Sequence, residues 1–125
     1  MKMPDPDASV LARRDALVAA LRAIVPGEGV IDDESARRAY ESDGLTAYRT
    51  LPMIVVLPET VEQVSQVLAY CHAEGVKVVP RGAGTSLSGG ALPLADGVLL
   101  GMGKFNRVLE IDYANRCAVV QPGVT

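Results

Sequence analysis

Met53-Ile-Val-Val-Leu57, Thr60-Val-Glu-Gln-Val-Ser-Gln-Val-Leu-Ala-Tyr-Cys71 and Val76-Lys-Val-Val79 are the three stretches that decide the fold. The first is an unbroken apolar run rich in β-branched residues, which suits a strand buried on both faces. The second opens with Thr60 and Gln63 at capping-box spacing, so two orphan backbone donors at a helix start can be satisfied. Val61, Val64, Val67, Leu68 and Cys71 then recur at helical spacing and predict one buried stripe. Gly75 is placed to stop the helix as its C′ residue. Strand, helix and strand in this order read as a βαβ unit with parallel strands.

Upstream, residues 1–7 hold two Pro and two Asp and are expected to fray. Ser9 is the expected N-cap of a helix over residues 10–24, with Val10, Leu17, Val18, Leu21 and Ile24 on its apolar stripe. Pro26-Gly27 ends it. Asp32-Asp33 opens a short helix near residues 34–42, with acids at its positive end. Residues 43–52 read as a loop. Downstream, strands are expected near residues 97–101, 107–112 and 116–121, the last two forming a hairpin around residues 112–115. The fold class is therefore α+β: N-terminal helices followed by a small mixed sheet containing the βαβ unit. Residues 1–42 form the helical segment, and residues 43–125 form the first part of a larger domain. The sequence stops directly after a strand, and the final hairpin is left incompletely covered. A longer protein is expected, of which this is the N-terminal part.

Composition bounds the function. The chain has 125 residues, 49% apolar and 22% charged, which is a globular balance. Four Tyr, one Phe and no Trp make the core aliphatic. Twelve basic against fifteen acidic residues leave a net charge of −3, against a sequence-independent nucleic-acid binder. No apolar run is long enough to span a bilayer, and the N-terminus lacks the apolar centre of a signal peptide. Cys71 and Cys117 are too few for a disulfide scaffold and lack metal spacing. Reduced thiols in a cytoplasmic protein are expected.

The chemistry concentrates after Pro80, in Arg81-Gly-Ala-Gly-Thr-Ser-Leu-Ser-Gly-Gly90. Four of the nine residues after Arg81 are Gly, and Thr85, Ser86 and Ser88 carry hydroxyls. Successive amides freed of Cβ crowding can point into one concavity, a nest for phosphate or diphosphate. The loop follows a strand of the βαβ unit, where ligands of open α/β sheets commonly sit. A GxxxxGK[ST] loop is excluded because no Lys lies between Lys77 and Lys104. A GxGxxG loop is excluded because Leu87 stands where the third Gly belongs. Arg81 is the only charge, so backbone dipoles would carry most of the neutralisation. A ligand-free connection, or a phosphosugar or CoA-type ligand, fits the same physics.

The stretch from Val78 through this loop to Pro93 resembles the pyrophosphate loop of the FAD-linked oxidases of the vanillyl-alcohol oxidase and p-cresol methylhydroxylase type. The nearest subgroup is the glycolate oxidase catalytic subunits and D-lactate dehydrogenases. Pro58-Glu-Thr-Val-Glu-Gln-Val, Asn106-Arg-Val-Leu-Glu-Ile-Asp112 and Val119-Val-Gln-Pro-Gly-Val-Thr125 agree as well, so the resemblance spans about residues 40–125. It implies the first part of a PCMH-type FAD-binding domain, with the rest of that domain and a substrate cap further along a longer chain. It also implies that FAD diphosphate is held by the backbone of Arg81, Gly82, Ala83, Gly84, Thr85 and Ser86, and of Leu87, Ser88, Gly89 and Gly90. Ser86 and Ser88 would add hydroxyls, and Pro122 and Gly123 match a later turn near the cofactor. Some relatives carry a flavin-linked His at the position of Thr85; Thr implies non-covalent FAD.

The implied activity is oxidation of a small 2-hydroxy acid, glycolate or D-lactate, with hydride passing to the flavin. Implied partners are that substrate and the remainder of the protein or other oxidase subunits. The implied location is cytoplasmic, or peripheral to a membrane through those subunits. The alternative is a non-enzymatic assembly module that docks a partner through the exposed C-terminal hairpin. No catalytic base stands out, so residues 1–125 alone are expected to be silent. His72 reads as a rim residue, Cys71 and Cys117 as core, and Tyr40, Tyr48 and Tyr113 as packing against loops. Asp43 and Arg49 read as solvated. The acidic run Asp32-Asp-Glu34 reads as a helix start rather than a metal site, because nothing nearby completes a ligand set.

Overall fold

The computed structural model describes residues 3–125. Its central strand is the one that the sequence marks least. A four-stranded sheet has the order β1 (Val30–Ile31), β2 (Ile54–Val56), β4 (Gly97–Gly101), β3 (Lys77–Arg81). β2 and β3 run in the same direction, as the βαβ reading requires, but β4 is inserted between them and is parallel to both. β1 pairs antiparallel with β2 and makes the sheet mixed. Val55 and Val79 flank Leu99 in register, and every residue of β4 is buried. A short Gly-flanked strand carries no periodicity that would assign it the middle position. The β2–α4–β3 crossover skips one strand position, and β4 fills it.

α4 (Val61–Ala73) connects β2 to β3. The Thr60 hydroxyl accepts the Gln63 amide at 3.2 Å, and the Gln63 side chain accepts the Glu59 amide at 2.8 Å. The box thus closes one residue earlier than its usual form. At the other end Gly75 takes φ +67°, its amide donates to His72, and the Val76 amide donates to Cys71 at 2.8 Å. That is a Schellman stop, which a Cβ would strain. Val67 and Cys71 are buried, but Val61 and Leu68 are 68% and 45% exposed. The buried stripe is therefore narrower than the apolar pattern suggests. Burial pushes the Cys71 thiol up to about 11, leaving it inert as a nucleophile at neutral pH. Cys117, read as core, is exposed, because the hairpin that carries it has no sheet packed on either face.

The N-terminal helix is broken. α1 (Ala8–Ala12) and α2 (Arg14–Ile24) meet at Arg13. Arg13 spans to the end of α4, donating to the Glu74 carboxylate at 2.5 Å and the Glu74 carbonyl at 3.0 Å. The N-cap is Asp7, not Ser9: its carboxylate accepts the Ser9 amide at 2.8 Å. Asp7 is not frayed either, because its own amide donates to the buried Asp96 at 2.9 Å. Leu17, Leu21 and Val25 of this segment share one core with Ile54, Val56, Val67, Cys71, Val98 and Leu100. α3 (Glu34–Arg37) is capped by Asp33, whose carboxylate accepts the Ala36 amide at 2.9 Å. It passes into a 3-10 turn over Arg38–Tyr40. β5 (Val108–Asp112) and β6 (Cys117–Val120) form the expected hairpin as a separate two-stranded sheet.

Asp96 joins the N-terminus to the sheet edge. It also pairs with Lys77 at 2.7 Å. Burial pushes its carboxyl up, but the Lys77 ammonium and the Asp7 amide outweigh that, and the net shift is below the ordinary 3.8. Folding thus favours the ionised form. Its stabilisation is complete above the unfolded pKa and is lost as pH falls through the lower folded value. Asp96→Asn should destabilise the chain by roughly 1–3 kcal/mol at neutral pH. In urea melts at several pH values, the gap from wild type should narrow below the ordinary carboxylate pKa. A gap that holds constant into strong acid would refute the assignment.

Candidate cofactor site

The carboxyl ends of β3 and β4 lie side by side, with Arg81 opposite Gly101. The Met102 amide extends the pairing by donating to the Arg81 carbonyl at 2.8 Å. The glycine loop leaves β3 at this edge, the place where parallel sheets expose ligand sites. Gly84 and Gly89 take φ +75° and +79°. These left-handed residues let the chain reverse twice within a few residues, which side chains would oppose.

The loop's two halves use their amides differently. In the second half the Ser86 hydroxyl oxygen accepts the amides of Gly90 at 3.1 Å and Ser88 at 3.4 Å. Ser86 thus shapes the loop, and its own hydroxyl proton is left for another acceptor. In the first half, the amides of residues 82–87 donate to no protein acceptor among the described residues. A run of unpaired amides in an ordered loop is a set of donors awaiting an acceptor, water or anion. Thr85, Leu87 and Ser88 are exposed beside it.

A second stretch, distant in sequence, closes the site. Gly123 donates its amide to the Phe105 carbonyl at 2.8 Å. The turn at residues 122–123 then lies so near the loop that a Cβ on Gly82 would be 3.1 Å from the Pro122 carbonyl oxygen. Between them runs a groove of about 590 Å³ lined by Gly82, Ala83, Gly103, Asn106, Gly123 and Val124, with Thr125 at its end. A smaller cavity of about 150 Å³ adjoins it through Gly82 and Gly103, and is bounded by Tyr40, Leu57, Arg81 and Lys104. The groove's walls are mostly backbone and glycine, a surface that suits close approach by a flat or phosphorylated ligand. Lys104 is engaged by Glu59 at 2.5 Å, so amide dipoles dominate its electrostatics.

Arg81 does not reach into this groove as a free cation. Its guanidinium donates to the carbonyls of Ser42 at 2.8 Å and Tyr40 at 3.2 Å, and it lies 5.8 Å from the Tyr40 ring centre. The turn at residues 40–44 is the part of the site that sequence reasoning missed. Asp43, read as solvated, is 5% exposed; one carboxylate oxygen accepts the Leu45 amide at 3.1 Å, and the other is buried without a partner. The Ser42-Asp-Gly44 sequence is a turn signal, but nothing in it says which loop the turn meets. Arg49 is exposed and lies 3.5 Å from Glu41. His72 is exposed, and Tyr113 is 84% exposed on the hairpin. Among the described residues no three His, Cys, Asp or Glu side chains are grouped to hold a metal, and no helix is long and apolar enough to cross a membrane.

The chain has relatives among known proteins. The family described as FAD binding domain matches residues 52–125. The chain is 51% identical over 122 residues to the glycolate oxidase subunit GlcD of Escherichia coli K12, covering 98% of this chain and 23% of that protein. To the glycolate oxidase subunit GlcD of Bacillus subtilis it is 40% identical over 101 residues, 80% of this chain and 22% of the other. A crystal structure of p-cresol methylhydroxylase with substrate bound superposes with a TM-score of 0.78 at 26% identity, over 98% of this chain and 24% of that one. The chain spans about a quarter of the length of these relatives. The family match takes in the glycine loop, the groove and the terminal turn together, so the chain belongs to the FAD binding domain family, and its cofactor is FAD.

Proposed function

We propose that the groove between the glycine loop and the turn at residues 122–123 holds the FAD diphosphate, and that the intact protein uses this flavin to oxidise a small 2-hydroxy acid of the glycolate or D-lactate type. The observation that carries the binding reading is the run of unpaired amides at residues 82–87, beside a groove walled by glycine. Within the loop at residues 81–90 the unpaired amides of residues 82–87 supply the donors, with Ser86 and Ser88 adding hydroxyls and Gly123 keeping the far wall low. The substrate class rests on the 51% identity to a glycolate oxidase subunit. FAD, when bound, supplies the two-electron acceptor for such an oxidation. Thr85 offers no imidazole for attachment, so the flavin is held non-covalently. Residues 1–42 act as a helical segment buttressing the first part of the FAD-binding domain at residues 43–125.

The hairpin supports a further element of this reading. Val108, Leu109, Ile111, Val119 and Val120 are each about half exposed, on a two-stranded sheet too small to be stable alone. Their cover is the remainder of the protein's own chain or another oxidase subunit. The same exposure favours the second reading, a colourless assembly module docking a partner there. The intact protein decides between them. It should purify yellow, release its flavin into the supernatant on acid precipitation, and bleach anaerobically with glycolate or D-lactate. Flavin that stays with the precipitate contradicts non-covalent binding. A colourless protein that takes up no FAD overturns the proposal.

A further inference from the structure

The Arg81 guanidinium, the obvious cation of the loop, faces away from service as a phosphate ligand. Among the described residues its hydrogen bonds go to main-chain carbonyls of one turn, Tyr40 and Ser42. Its far side is packed on the loop: a Cβ on Gly84 would fall 2.4–2.7 Å from the guanidinium atoms. The turn touches the loop directly as well. A Cβ on Gly44 would be 2.8 Å from the Thr85 carbonyl oxygen and 2.9 Å from its carbon. Two backbones therefore meet with no side chain between them, and one guanidinium pins them together: its Nη1 holds both carbonyls of the turn while its Nε and Nη2 edge lies against Gly84. The glycines at 44 and 84 are what make this approach possible.

Resting on the FAD reading, we propose that Arg81 is a positioning residue: its guanidinium clamps the turn at residues 40–44 beneath the glycine loop and so sets the loop amides for the diphosphate, without contacting the phosphates. The turn lies upstream of the residues matched by the family, which begin at 52. The N-terminal segment thus contributes to cofactor affinity although it donates nothing to the cofactor. The guanidinium plane matters more than the charge. A lysine can bring one ammonium to the two carbonyls, but it has no planar body to fill the space between Gly84 and the Tyr40 ring and so hold that donor in place.

The test uses the intact protein stripped of flavin and titrated with FAD at several ionic strengths. If Arg81 is a clamp, Arg81→Lys should weaken FAD binding about tenfold or more, nearly as far as Arg81→Met. The ionic-strength dependence of both variants should parallel wild type, since no phosphate contact is lost. Gly44→Ala keeps the charge but pushes the turn off Thr85, and should weaken binding likewise. This variant also decides the matter if the Arg81 variants fail to fold. Arg81→Lys with wild-type affinity, Arg81→Met with a flattened salt dependence, or Gly44→Ala with wild-type affinity would overturn the clamp and leave the FAD site standing. Wild-type protein that binds no FAD would instead overturn the site itself.

Discussion

Gly123→Ala should cost the protein both stability and flavin. A Cβ at this position would sit 2.1 Å from the Met102 carbonyl oxygen and 2.8 Å from that of Phe105. Both obstacles are main chain and cannot rotate aside. The Gly123 amide is bonded to the same Phe105 carbonyl, so the turn is held against the obstacle. The two turns must separate, at a cost of about 1–3 kcal/mol for an overpacked contact. Separation displaces Pro122 from Gly82 and widens the groove. The expected readout is a lower urea midpoint together with substoichiometric flavin. Gly103→Ala is the stability control, because nothing lies within 4 Å of its added Cβ. Its midpoint should match wild type. An unchanged midpoint and full flavin content in Gly123→Ala would remove the terminal turn from the site.

Gly84→Val should empty the site with less effect on the core. The position requires φ +75°, where a β-branched residue is strained, and its Cβ would collide with the Arg81 guanidinium. Arg81 cannot swing away without releasing Tyr40 and Ser42. The loop must therefore change path, and its amides with it. FAD affinity should fall by about tenfold for each ~1.4 kcal/mol of strain passed to the bound loop. The sheet beneath, with Leu99 and Val55 fully buried, should melt close to its wild-type temperature. Wild-type flavin occupancy in Gly84→Val would mean that the loop's course is irrelevant to the cofactor.

Local patterns were legible in the sequence, and long-range placements were not. The capping box, the Gly75 stop and the strand at residues 54–56 each depend on neighbours a few residues away, and each stands where the sequence puts it. The place of β4 between β2 and β3 depends on tertiary pairing, which no local period encodes. Asp7 displaces Ser9 as the cap because its amide is anchored by Asp96, 89 residues away. Val61 and Leu68 look like core by spacing, but the helix buries a narrower face. Cys117 alternates as a buried strand residue would, yet every residue of its strand is exposed. In the site, glycine spacing and hydroxyls mark the loop, and a family resemblance names its ligand. The approach of Gly44 to Thr85, and the use of Arg81 as a tie rather than a free cation, arise only when residues about forty apart are folded together.

The decisive measurement is a crystal structure of the intact protein with FAD bound. The diphosphate oxygens should lie about 2.7–3.2 Å from amide nitrogens within residues 82–87, with Arg81 still on the Tyr40 and Ser42 carbonyls. A diphosphate seated elsewhere, with those amides turned to solvent, would contradict the account at its root.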